Sequence, residues 1–199
     1  MNDLWSSTSA RDWRAALERY EAVVSAQGVA KLAILDDWYR DELPGLIAAR
    51  RKPHVTLPEL TKLTEWKMAR GVWRAPNLVL VKGNDPDTVI STSGDALALV
   101  PHPTSPVATL ATLAGVGPAT ASAAAAAYAP ETYPFFDELV AGQVPALGAV
   151  KWTLGYYRKY AEALRARAAE LGKGWTPVAV ERALWAHFGG KASTRADLT

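Results

Sequence analysis

The chain has 199 residues, of which 49% are hydrophobic, with no cysteine and a formal net charge of +2. That length accommodates one domain or two small lobes around a proper core. The lack of thiols excludes disulfides, thiolate zinc sites and cysteine-held iron–sulfur clusters, and so mild a charge does not by itself demand nucleic acid.

The start, Met1-Asn2-Asp3-Leu4-Trp5, has no basic region leading into an apolar run. No stretch is long and apolar enough for a membrane span. The expectation is a soluble, cytoplasmic protein. Charge is distributed unevenly: residues 101–150 contain no lysine or arginine. The segment 51–74 carries Arg51, Lys52, Lys62, Lys67, Arg70 and Arg74, and 151–167 adds Lys151, Arg158, Lys159, Arg165 and Arg167. If both segments face one site they form a cationic rim; otherwise they are solvated helix faces.

In chain order, Ser9 caps a helix that carries Trp13, Leu17, Tyr20 and Val24 at helical spacing, and Gln27-Gly28 ends it. A second helix is expected over 29–50, kinked or divided at Pro44-Gly45. His54 falls in a linker and reads as a surface loop residue. Thr56, Pro58 and Glu59 open a helix over 57–70, and Gly71 stops it. On that helix Leu60, Leu63 and Lys67 share a stripe, with Trp66 and Arg70 on the adjoining one. Residues 77–81 suit a strand by propensity, but with no partner strand nearby a short helix is expected. Asp85-Pro86 starts the next helix, and Ser105-Pro106 another that leads into a glycine turn.

That turn organises the chain. Leu113, Gly115, Val116, Gly117, Pro118, Thr120 and Ala121 read as helix end, tight turn and new helix. Both glycines are expected to supply the turn's unusual backbone angles, and Pro118 suits a first helical turn. Residues 119–129 are nearly all alanine, the strongest helix former, and Pro130 stops them. The free amides at such a helix start suit a phosphate oxygen. Downstream, Tyr133-Pro134-Phe135-Phe136 delivers Asp137, which can cap a short helix over 138–140. A long helix over 152–171 and a last one from Thr176-Pro177 to Phe188 complete the chain, with a polar tail to Thr199 expected to be loose. The fold class expected is all-α.

The run Leu113-x-Gly115-Val116-Gly117-x-x-Thr120-Ala121, the small-residue helix after it, and Asp137 resemble the helix-hairpin-helix (HhH-GPD) DNA glycosylase superfamily over residues 110–140. The resemblance implies a compact helical fold of that type. One lobe would span about 56–130, the other 1–55 with 131–199, and the active-site cleft would lie between them. It also implies that Gly115, Val116, Gly117, Ala119 and Thr120 grip the DNA backbone, with a monovalent cation at the hairpin carbonyls as an option. Asp137 would be catalytic. Some members carry an iron–sulfur cluster, which this cysteine-free chain has no ligands for. No cofactor is expected.

Cleaving a base from its sugar develops positive charge on the sugar, which a carboxylate stabilises while orienting or deprotonating water. Members that also cut the strand place a lysine two positions after the second glycine. Here that position is Ala119, so a monofunctional enzyme is expected, with Lys67 or Lys151 the only replacement amines considered. The target base must leave the stack. Glu65, Trp66, Lys67, Tyr133 and Trp152 are candidates for the base pocket, and Trp73 also lies near in sequence. The expected partner is duplex DNA carrying a modified base, with an alkylated or electron-poor base favoured, and the protein is expected to be monomeric and, in a bacterium, nucleoid-associated. The alternatives are a non-catalytic helix-hairpin-helix DNA-binding protein and a helical scaffold in which the glycines only make a tight turn.

Overall fold

The computed structural model describes residues 3–192; the polar tail expected to be loose lies almost wholly outside the described residues. Among those residues the architecture is entirely helical. The helices are α1 (Ala10–Glu18), α2 (Tyr20–Ser25), α3 (Leu32–Asp37), α4 (Leu43–Ala48), α5 (Leu57–Arg70), α6 (Ala75–Lys82), α7 (Pro86–Ala98), α8 (Ser105–Leu110), α9 (Pro118–Tyr128), α10 (Glu138–Ala141), α11 (Leu154–Leu171) and α12 (Pro177–Phe188). No described helix is long and apolar enough to cross a membrane.

Helix starts follow the sequence closely, because side-chain caps are local. Ser9, Thr56, Asp85, Thr153 and Thr176 each accept a hydrogen bond from a first-turn amide. Thr56 and Glu59 form a reciprocal capping box. The first expected helix is instead divided at Arg19 into α1 and α2. The second departs from expectation in kind. Pro44 has no amide to give the turn before it, and the chain widens into a π-helical turn, Trp38–Glu42, where the Leu43 amide reaches the Trp38 carbonyl. The result is a bulge inside a continuing helix rather than a kink at Pro44-Gly45, and it places Arg40 against the core.

Helix α9 is the central element. Every residue from Ala119 to Ala127 is buried, as expected for a helix that is apolar all round. Alanine lets neighbours approach closely, and α4, α5 and α8 all pack on α9. Helices α5 to α8 form one contact group with it. Helices α1, α2, α10 and α11 gather on α12, and α3–α5 and α4–α9 contacts join the two groups. One continuous apolar cluster runs through both, from Trp13 and Leu32 to Trp66, Phe136 and Trp185.

The glycine turn joins α8 to α9. Gly115 has φ +74°, the left-handed region. A Cβ there would lie 2.6 Å from the Asn77 carbonyl oxygen and 2.9 Å from the Val81 amide of α6. Gly117 differs from the expectation: it is extended (φ −93°, ψ 178°) and serves as N-cap of α9. Nothing lies within 4 Å of a Cβ built on it. Asn84, following α6, clasps the turn by accepting from the Ala114 amide and donating to the Ala114 carbonyl, both at 2.9 Å.

Candidate functional site

Residues 133–136 lead from α9 to α10 without helical structure, and their backbone is fixed from two sides. Ser122 on α9 accepts a hydrogen bond from the Phe136 amide at 2.9 Å. On the other side, Tyr160 on α11 donates to the Phe135 carbonyl at 2.7 Å. Phe136 is enclosed by the rings of Trp152, Tyr156, Tyr157 and Tyr160. This strap delivers Asp137, whose Oδ1 accepts from the Leu139 amide at 2.8 Å as the N-cap of α10.

The Asp137 carboxyl is 8% exposed and Arg70 Nε lies 3.5 Å from its Oδ2. Burial pushes its pKa above the usual carboxylate range. The Arg70 guanidinium and the α10 amides pull the other way without cancelling that rise. Behind it stands a ladder of buried charges of alternating sign. Arg70 is hydrogen-bonded to Glu181 of α12, Glu181 lies 3.8 Å from Arg40, and Arg40 lies 3.4 Å from Asp36. Tyr20 and Trp66 donate to the Asp36 carboxylate at 2.9 and 2.7 Å. Burial also raises the Glu181 carboxyl and pushes the Tyr20 phenol up to about 12.

Two recesses that share lining residues open here, and Asp137 lines the smaller. The first, about 50 Å³, is lined by Lys67, Arg70, Val72, Phe136, Asp137 and Leu139 among others. A water needs roughly 10–15 Å³, so this recess has room for water. The second, about 250 Å³, is lined by the turn residues Gly117, Pro118, Ala119 and Thr120 together with Asn77. Lys67, Arg74 and Trp152 line both. No side chain caps the first amides of α9, which leaves helix-start donors at the wall of the larger recess.

Lys67 and Trp152 thus line both recesses, Asp137 the smaller alone and the turn residues Gly117, Ala119 and Thr120 the larger alone. Gly115 and Val116 support the turn from behind, and Val116 is buried. Three of the base-pocket candidates are elsewhere. Trp66 is fully buried and stacks on Tyr39 with ring centroids 3.6 Å apart. Its stripe of α5 faces the core because the neighbouring Leu63 and Arg70 positions are buried too. Glu65 turns toward α6, 3.6 Å from Lys82. Tyr133 is buried, and its hydroxyl donates to the His102 carbonyl at 2.7 Å. Trp73 is 56% exposed but lines neither recess, and neither does Lys151.

The rim also differs from the expectation. Only Lys67, Arg70 and Arg74 of the first basic segment reach the cleft. Lys52 pairs with Asp95, Arg158 with Glu162 and Arg167 with Glu170. Arg165 donates to the Thr132 carbonyl. Lys191 supplies the cation the sequence did not suggest, 2.9 Å from Glu138. Sequence reasoning also passed over Glu181. Its signal was there, since it shares a helical stripe with Pro177, Leu184 and Trp185, all buried. Among the described residues no group of three His, Cys, Asp or Glu side chains is placed to hold a metal ion. Compared with known proteins, the chain matches no family model, no curated protein and no solved structure.

Proposed function

We propose that the chain is a DNA N-glycosylase of the helix-hairpin-helix type, acting on duplex DNA that carries a modified base and leaving the strand uncut. The observation that carries this reading is that Lys67, Arg74 and Trp152 line both the recess at Asp137 and the recess at the turn. A phosphate oxygen on the uncapped amides of α9 would hold a nucleotide in the larger recess, with its sugar toward the smaller one.

Asp137 then has two tasks. Its negative charge stabilises the sugar cation that forms as the base departs, and it accepts the proton of the attacking water. A buried carboxyl with a raised pKa is a stronger base than an exposed one. Capping of α10 fixes Oδ1, which leaves Oδ2 beside Arg70 to face the reaction. Ala119 occupies the position where strand-cutting members carry lysine, so water is the nucleophile.

The test is incubation with duplexes that each contain one modified base, with abasic sites revealed by alkali. The reading expects alkali-dependent breaks on at least one duplex and none without alkali. A chain that binds duplex DNA with salt-sensitive affinity yet releases no base from any of them is a DNA-binding module instead.

A further inference from the structure

We propose that the cleft selects neutral bases bearing ring carbonyls and rejects cationic alkylated ones, and that Lys67 is a catalytic residue that stabilises the departing base. This rests on the glycosylase reading above and names its substrate class. It reverses the preference for alkylated bases drawn from the sequence.

The lining of the Asp137 recess includes four cations, Lys67, Arg70, Arg74 and Lys191, against two carboxylates, Asp137 and Glu138. Lys191 pairs with Glu138 at 2.9 Å, while Arg70 is shared between Asp137, at 3.5 Å, and Glu181. The side chains of Lys67 and Arg74 make no hydrogen bond or ion pair among the described residues, and both line the larger recess as well. With Asp36, Glu181 and Asp137 set against Arg40 and Arg70, and Glu138 against Lys191, the two cations that border the space open to a base exceed the remaining carboxylate charge by one.

A purine alkylated on N3 or N7 is itself a cation before it leaves. Entering this space places it against like charge, in a site where partial burial weakens screening. A neutral base with carbonyl oxygens instead accepts hydrogen bonds from the same two groups. The difference extends to the bond-breaking step. An alkylated base departs neutral and needs no help. A neutral base departs with the electron pair of the C1′–N bond and becomes an anion, so it needs a cation or a proton at that moment.

Lys67 is placed to supply it. Its helix, α5, also carries Arg70, so one rigid element holds both Lys67 and the guanidinium that contacts Asp137. Burial and the neighbouring Arg74 lower the Lys67 pKa against the opposing pull of Glu138 and Asp137, so its ammonium gives up a proton more readily than an exposed lysine does. The step balances as follows. The C1′–N bond breaks with its pair going to the base, which takes one proton from the Lys67 ammonium. The water oxygen bonds to C1′, its proton passes to Asp137, and solvent restores both groups.

The test measures free base released in single turnover from duplexes carrying uracil, hypoxanthine, 8-oxoguanine or 7-methylguanine, by the wild-type chain, Lys67→Met and Lys67→Arg, with unfolding curves to show that each variant is folded. At least one neutral base should be released faster than 7-methylguanine. Lys67→Met should slow that release about 100-fold, slow 7-methylguanine far less, and be partly rescued in Lys67→Arg. Release of 7-methylguanine at least as fast as every neutral base, or equal slowing of both classes by Lys67→Met, overturns the inference and leaves the glycosylase reading standing. Release of no base from any duplex overturns both.

Discussion

Two sets of charges meet at Asp137, and they are built on opposite rules. Behind it, Asp36, Arg40, Glu181 and Arg70 are buried and paired in alternating sign. In front of it, Lys67 and Arg74 border open space, and Lys67 feels the charges of Asp137 and Glu138 without a direct ion pair to either. Buried charges persist only when paired and hydrogen-bonded, so the ladder fixes the shape and charge of the site. Unpaired cations at a cleft contribute little to the fold and are available to a ligand. The Asp137 carboxyl sits at the boundary and belongs to both sets.

Breaking the ladder should give the largest effect. Arg70→Met leaves Asp137 and Glu181 without their guanidinium, and thermal or urea unfolding should show a loss of about 3–5 kcal/mol. The two glycines of the turn give the next contrast. Gly115→Ala forces a Cβ into the α6 backbone at positive φ, and should cost about 2 kcal/mol in the same assay. Gly117→Ala meets open space, so stability should hold while affinity for duplex DNA falls.

Asp137→Asn probes the boundary by its pH dependence. The folded pKa of Asp137 is raised, so its contribution to stability is fully present below the unfolded value near 4 and is lost as pH rises through the folded value. Asparagine caps a helix about as well as aspartate and does not titrate. The melting temperature of the variant relative to wild type should therefore climb between pH 4 and 7. The smallest stability changes belong to the front of the site. Lys67→Met and Arg74→Met should each shift unfolding by about 0.5 kcal/mol or less. Each should also lower the salt slope of DNA binding by about 1.

The same contrast explains what was legible in the sequence. Caps such as Thr56 with Glu59 act within one turn of helix, and they set helix starts that pattern alone reveals. The glycine turn, the alanine helix and Asp137 lie within one short stretch, and their order along the chain carries most of their geometry. The ladder could not be read that way. Arg70 and Glu181 are 111 positions apart, and nothing local says that a charge on one apolar stripe meets a charge on another. Trp66 and Lys67 are neighbours in sequence, yet a step of one residue on a helix turns a side chain by about 100°. That rotation sends Trp66 into the core and Lys67 into the cleft. The π-turn was hidden for a different reason: Pro44 announces a missing hydrogen bond but not whether the helix bends or widens.

The role proposed for the Asp137 carboxylate is base release. Single-turnover release by wild type and by Asp137→Asn, on the duplex that wild type processes fastest and with binding measured on the same duplex, tests it most directly. The account predicts a fall of at least about 100-fold in release with the dissociation constant unchanged within about threefold. Release by Asp137→Asn at the wild-type rate would contradict it.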